Sequence, residues 1–362
     1  MVASRSWIEA HIVTQKSCGL NFLRVISGEP ELHCVMSSVI AARRPPPPFS
    51  TPTRDRGARQ LGAATARLVS AFRRQRPLRA GSLIVTLFGD AILPRGGAIT
   101  LRSLIGIAAP FGIQERLVRT AAARLAQDGW LETRRLGKHS EYRLSASGSE
   151  RFEEATERIY GPAPSWSGRW TLLVLPPLTA AARAVLRREL IWLGFGELAA
   201  GIYAHPEMSR EGVRRALAPF AAARRTLVFE ATLSGDASPA RLLERGWNLD
   251  ELAQGYRRFV SRFEPALGAS RIASIAPQTG FVLRTLLIHD YRRLHLRDPL
   301  LPARVLPTDW PGFEAAALCR ALYARVFGPS EQYLSASAAQ LDGPLPAPGA
   351  AVRRRFGGLD DR

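Results

Sequence analysis

Apolar and polar positions divide this chain into an irregular opening and a patterned remainder. Residues 1–80 look unlike the rest: the sequence before Met36 is unpatterned, and "RRPPPPFSTPTRDRGARQ" joins a proline run to arginines. Such a composition cannot build a core. Residues 1–80 are expected to be a mostly disordered, basic and proline-rich extension. It is either an inert tail, with translation starting downstream as one variant, or a basic arm on phosphates.

From residue 81 the pattern is regular. "SLIVTLFGDAI" predicts a buried helix and "LPRGGAIT" a turn. Thr100 is a good N-cap for "LRSLIGIA", and Ala109-Pro110-Phe111-Gly112 stops that helix. A third helix is predicted over about 113–127, ended by Asp128-Gly129. "WLETRRL" and "EYRLS" then read as two short strands around the tip "GKHS". This gives a winged helix-turn-helix over 81–146. Ser147 to Glu150 offers a capping box for a linker helix within 147–165, with Phe152, Ala155 and Ile159 on one face.

Trp166 opens a second pattern. "RWTLLVL", "TAAARAVLRRELIWLG", "FGELAAGIYAHP", "SREGVRRALAPFAAA" and "RTLVFEATL" alternate strand and helix periods in a β-α-β-β-α-β-like order. That order predicts a ferredoxin-like α+β domain over 166–236. Residues 237–333 read as mainly helical, and 334–362, rich in Ala, Pro and Gly, as a loose tail. The fold class is therefore α+β. Leu318, Leu322 and Val326 form an apolar face that suits either a homodimer contact or packing inside the helical domain.

Composition narrows the function. The formal net charge is +19, and residues 1–80 hold 13 basic against 4 acidic side chains. A polyanionic partner fits that balance. No run approaches the roughly 18 apolar residues of a membrane span. The three cysteines, Cys18, Cys34 and Cys319, have no metal spacing, and a cytoplasmic location is expected.

The third helix carries the chemistry. At about 100° per residue, Val118, Ala121, Ala122 and Leu125 share one side. Arg116, Thr120, Ala123 and Gln127 lie opposite, flanked by Arg119 and Arg124. An arginine fork matches guanine O6 and N7, and a small residue such as Ala123 lets a helix sit deep in the major groove. Any surface helix can carry arginines opposite an apolar stripe. The capped helix before this one and the hairpin after it favour a DNA reader. In the hairpin, Arg134 and Arg135 lie on the first strand, with Lys138 and His139 at the tip, near phosphate.

The strings "SLIVTLFGDAILPRGG", "APFGIQERLVRTAAARLAQDGWL", "YRLSASG", "DYRRLHLRDPLLP" and "LPTDWPGFEAAAL" closely resemble the PaaX-type repressors of phenylacetic-acid degradation operons. The likeness covers roughly residues 80–330. It implies the same three-domain order, a dimeric repressor on double-stranded operator DNA, and release by an aryl-acetyl coenzyme A thioester. No further cofactor is implied. One departure is Gln114, where a small N-cap such as Ser is expected at the start of the reading helix.

Rival chemistry is thinly represented. The middle domain is similar in fold to ferredoxin-like nucleases, which need an acid at the end of their first strand. "TLLVLPPL" has none, and Asp236 and Asp250 read as caps or solvated side chains. "GFGELAAG" lies in the wrong order for a dinucleotide site. A regulator of another acyl-coenzyme A pathway shares every feature. For the effector, His289, Arg292, Arg293 and Arg297 concentrate cations on one predicted helix, and guanidinium forks suit phosphates. The alternative is a packed helix whose arginines pair with Asp290, Asp298 or Glu264. Trp192 and Trp310 are expected in the core.

Overall fold

In the computed structural model, residues 51–75, 80–162, 166–218, 220, 222–233 and 239–359 are described. The chain is α+β: eleven α-helices and three small sheets among these residues. The first helix corrects the sequence expectation. α1 (Thr51–Arg73) lies inside the segment expected to be disordered, and it buries Leu61, Ala64, Leu68 and Phe72. That burial is worth about 1.5–3 kcal/mol for each large side chain. Removing residues 51–73 therefore strips core, not an inert tail.

α2 (Ala80–Thr86) runs on into a π-helical turn, Leu87–Ile92, and a 3-10 turn, Leu93–Arg95. The strand β1 (Ala98–Thr100) leads into α3 (Leu101–Ala108), whose cap Thr100 accepts a hydrogen bond from the Ser103 amide. α4 (Glu115–Gln127) follows a 3-10 turn, Ala109–Phe111, and Gly112. β2 (Leu131–Leu136) and β3 (His139–Leu144) pair antiparallel, and β1 adds to the far edge of β3. α5 (Ala146–Tyr160) starts one position earlier than the linker helix expected from sequence. Its cap is Ser145, which accepts from the Gly148 amide, not the Ser147 of the proposed capping box.

The middle layer contains β4 (Trp170–Val174), α6 (Ala180–Trp192), β5 (Gly196–Ala199), β6 (Ile202–Pro206), α7 (Arg210–Leu217) and β7 (Leu227–Ala231). Its strands are antiparallel in the order β5-β6-β4-β7. One face packs on Leu186 and Leu190 of α6 and Val213 and Leu217 of α7. The other, through Trp170 and Ala204, meets Leu243 and Trp247 at α8 (Pro239–Gly246), with Leu301 and Val305. β7 is an edge strand with Leu227, Val228 and Phe229 exposed.

α9 (Leu249–Ser270), α10 (Pro277–His295) and α11 (Pro311–Ser337) form the helical layer. Gly280 lets α10 cross α11 closely, because a Cβ there would lie 2.8 Å from Cβ of Pro329. Leu318, Leu322 and Val326 are buried, so the apolar face of α11 packs inside its own chain and is not a dimer surface. Trp310 is buried against Tyr256.

Two units that the sequence separates share one core. Phe88, Leu104 and Val118 belong to the same apolar cluster as Phe263, Leu287 and Leu322, and α1 joins it. The segment expected as a loose tail closes this unit. β8 (Ala339–Gln340) and β9 (Gly343–Pro344) pair beside β1, and the following 3-10 segment (Ala350–Gly357) buries Val352 and Arg355. Its register is fixed by hydrogen bonds from the Ala339 amide to Ser103 and from the Leu341 amide to the buried carboxylate of Glu141.

A buried ion cluster ties these elements together. Asp90, on the π-helical turn, receives Nε of Arg284 at 2.7 Å, Nη1 of Arg355 at 2.7 Å, and the hydroxyls of Tyr160 at 2.7 Å and Tyr323 at 2.9 Å. Arg284 continues to Glu331, whose other oxygen takes Nε of Arg95 at 2.9 Å. Burial alone would raise the Asp90 carboxyl, but Arg284, Arg355 and Tyr160 together hold it below the usual range.

Candidate nucleic-acid interface

The α3–α4 unit is built by local sequence. Gly112 takes a left-handed φ of 71°, which reverses the chain between the two helices. A Cβ there would also meet the Arg73 side chain from the end of α1. Val118, Ala121 and Ala122 are buried and Leu125 is half-buried, so α4 is anchored on the side its periodicity indicates. Gln114 is the N-cap by backbone only, and its side chain makes no capping hydrogen bond.

The opposite face is open. Gln114, Arg116, Arg119, Thr120 and Ala123 are exposed, while Arg124 is half-buried. Arg119 pairs with Glu115 one turn back at 2.6 Å, and Thr120 donates to the Arg116 carbonyl at 2.9 Å. An exposed pair of that kind contributes only about 0.3–0.5 kcal/mol and yields readily to another partner. The β2–β3 hairpin turns at Gly137 with φ 55°, and Arg134, Arg135, Lys138 and His139 are all exposed along it. Arg134 is not idle. It donates to Asp342 of the β8–β9 hairpin at 2.8 Å, a contact across 208 positions that no local pattern reveals.

The cation cluster on α10 divides. His289 is buried, with Nδ1 3.1 Å from Oγ1 of Thr86 and its ring edge-on to Phe72. Arg292 is buried too, donating from Nε to Oγ1 of Thr86 at 2.8 Å and from Nη2 to the Ser82 carbonyl at 2.7 Å. Burial, with the neighbouring charge of Arg293, pushes its guanidinium down to about 10. These two side chains cement α10 to α2, so a ligand role for them does not fit the geometry. Arg293 is half-buried. Arg297 alone of the four lines an open cleft of about 1200 Å³ between the middle layer and the helical layer. Arg187, Arg245, Arg304 and Trp247 line it as well. Trp247 donates to the Gly194 carbonyl, and Arg304 lies 5.2 Å from the Trp166 ring.

Among the described residues no acid stands where a ferredoxin-like nuclease would hold its metal. β4 carries no acid, Asp250 is exposed in the first turn of α9, and Asp236 lies outside the described residues. Among the described residues no group of three or more His, Cys, Asp or Glu could hold a metal, and no helix is long and apolar enough to cross a membrane.

Three family models match in succession: PaaX-like protein over residues 79–148, PaaX protein central Cas2-like domain over 163–243, and PaaX-like protein C-terminal domain over 247–336. The chain is 38% identical over 290 residues to the transcriptional repressor PaaX of Escherichia coli (strain K12), covering 78% of this chain and 92% of that protein. Among solved structures it is similar to the uncharacterized protein Rv0674 from Mycobacterium tuberculosis. That likeness is 28% identical, covers 63% of this chain and 89% of the other, and has a TM-score of 0.42. Three consecutive family matches and a curated relative aligned over nearly its whole length place this chain in the PaaX family of transcriptional regulators, which is not a family of enzymes.

Proposed function

We propose that the chain is a DNA-binding repressor of a phenylacetate-type catabolic operon, released from its operator by an aryl-acetyl coenzyme A thioester. In this reading α3, α4 and the β2–β3 hairpin act as a winged helix-turn-helix, and the middle layer, with its β5-β6-β4-β7 order, is ferredoxin-like. The observation that carries it is the exposed face of α4. Gln114, Arg116, Arg119, Thr120 and Ala123 stand together at the leading half of a helix whose other side is locked into the core. The first turns of such a helix read base edges, while hairpin cations such as Arg135 and Lys138 suit phosphate.

A repressor of this kind works as a homodimer on paired half-sites. With the α11 face buried, the support for pairing moves to β7, an edge strand whose Leu227, Val228 and Phe229 face solvent. An uncovered apolar edge invites a second strand. For the effector, Arg297 and its cleft remain the favoured ground. Guanidiniums there suit the phosphates of coenzyme A, and Trp247 and Leu243 offer apolar surface to an aryl group. Release requires the thioester to bind the DNA-free state more tightly; equal affinity for both states shifts nothing.

The test is a footprint on the promoter of a phenylacetate catabolic operon, titrated with phenylacetyl coenzyme A and with free phenylacetate. The expected result is two protected patches, cleared by the thioester and unaffected by the acid. No protection overturns the repressor reading, and clearance by the free acid alone overturns the thioester.

A further inference from the structure

We infer that α1 is a second DNA-contacting element, which grips phosphates flanking the half-site read by α4. The inference rests on the repressor reading and extends it to a segment that precedes the family match, which starts at residue 79. α1 turns Leu61, Ala64, Leu68 and Phe72 inward. Away from them, Arg56, Arg59, Arg67 and Arg74 fall within about 80° of one another at 100° per residue, and all four are exposed. Between Arg56 and Arg74 this face contains no acid, only residues such as Gln60, Ala63 and Ser70.

Exposed arginines on two other helices of this protein are answered by acids: α7 pairs Arg214 with Glu211, and α9 sends Arg262 to Asp290. Among the described residues the stripe's one side-chain hydrogen bond runs from Arg74, just past α1, to the Ser70 hydroxyl, and no acidic side chain pairs with Arg56, Arg59 or Arg67. A run of unanswered cations on one side of a packed helix suits a polyanion with regularly spaced charge.

Position selects which polyanion. The C-terminal end of α1 abuts the turn that launches α4, since the Arg73 side chain lies against Gly112. The stripe therefore begins beside the reading helix and extends about 27 Å from it at 1.5 Å per residue. DNA presents a phosphate every 3.4 Å of axis on each strand, so a duplex longer than the half-site has charge to meet it. The contact carries no base information. It adds affinity and salt dependence.

The experiment uses the full chain and a duplex that the wild type enriches from a random pool. Each enriched core is made in two lengths, one ending at the core and one with flanking sequence on both sides. The quadruple variant Arg56→Gln, Arg59→Gln, Arg67→Gln, Arg74→Gln is compared with wild type for the slope of log affinity against log salt. The positions are exposed, and an unchanged unfolding midpoint establishes that the variant is folded. The expected slope on the flanked duplex is shallower by at least about 2, at about 0.9 per lost phosphate. On the trimmed duplex it changes little, and lysine at the same four positions restores it. An unchanged slope on the flanked duplex overturns the inference while leaving the repressor reading intact. Equal loss on both lengths also overturns it, because the stripe then acts as a diffuse field. A wild-type chain that enriches no sequence overturns the repressor reading, and this inference with it.

Discussion

The arginines of α4 and those of α10 are the same residue type on helices of similar look, and the fold treats them oppositely. On α4, Arg116 and Arg119 project into solvent from a helix anchored by small and branched residues. On α10, Arg284 and Arg292 are enclosed, one on Asp90 and Glu331, the other on Ser82 and Thr86. An arginine cluster in a sequence is therefore a question about what faces it. Where the facing residues are oxygen acceptors inside the core, the guanidinium becomes a rivet. Where only solvent or an exchangeable surface pair such as Glu115 faces it, it is left for a partner.

The sharpest way to break this contrast is to remove the acceptor. Asp90→Ala leaves Arg284 and Arg355 buried beside an empty position, and breaking one side of a buried ion pair costs about 3–5 kcal/mol. Urea unfolding should show that loss, and a loss under 1 kcal/mol would mean that the cluster relaxes into water. The same reasoning extends from guanidinium to imidazole. His205, against Phe195, is pushed by burial from the ordinary imidazole value of 6.5 down to about 4. The unfolded chain then binds the proton more readily, so the stability tied to this ring is present above pH 6.5 and drains away as pH falls through 4. The loss is at most about 3 kcal/mol, less for the ring's partial exposure. His205→Leu should flatten the pH dependence of unfolding between 6.5 and 4, and an unaltered profile would refute the assignment.

On the exposed side, Arg116→Ala and Arg119→Ala should each weaken operator binding by about 1–3 kcal/mol with the unfolding midpoint unmoved. Two unaffected variants in a gel shift would remove α4 as the reader. The smallest structural effect belongs to Arg297→Ala. It is expected to shift stability by less than about 0.5 kcal/mol, as for other exposed positions. Calorimetry should nonetheless show weaker binding of phenylacetyl coenzyme A, and undiminished binding would take Arg297 out of the effector site.

What could be read from the sequence was what local pattern encodes. Thr100, Gly112 and the Val118–Ala121–Ala122 spacing announce α3, the turn and α4 because caps, left-handed turns and helical stripes involve neighbours within a few positions. α1 was equally encoded: Leu61, Ala64, Leu68 and Phe72 recur at helical spacing. The proline run before it obscured the signal, and a window opened at Thr51 would have caught it. The α10 cations misled for a physical reason. Ser82 and Thr86, which absorb Arg292, lie more than 200 positions upstream and are hydroxyl bearers, not acids. The clasp of Asp342 on Arg134 is of the same long-range kind.

The Asp90 cluster also imposes an order in time. Arg355, one of its two guanidinium partners, is made 265 residues after Asp90. At about 5–20 residues per second, that is roughly 13 to 53 seconds of synthesis. Throughout that interval the buried Asp90 carboxylate lacks its last counter-charge. A chain stopped short of Arg355 should consequently melt at lower urea than the full chain. Under the proposed repressor reading, an interrupted copy is then a poor competitor for the operator, and the molecules that compete for it are finished ones that already contain the cleft lined by Arg297.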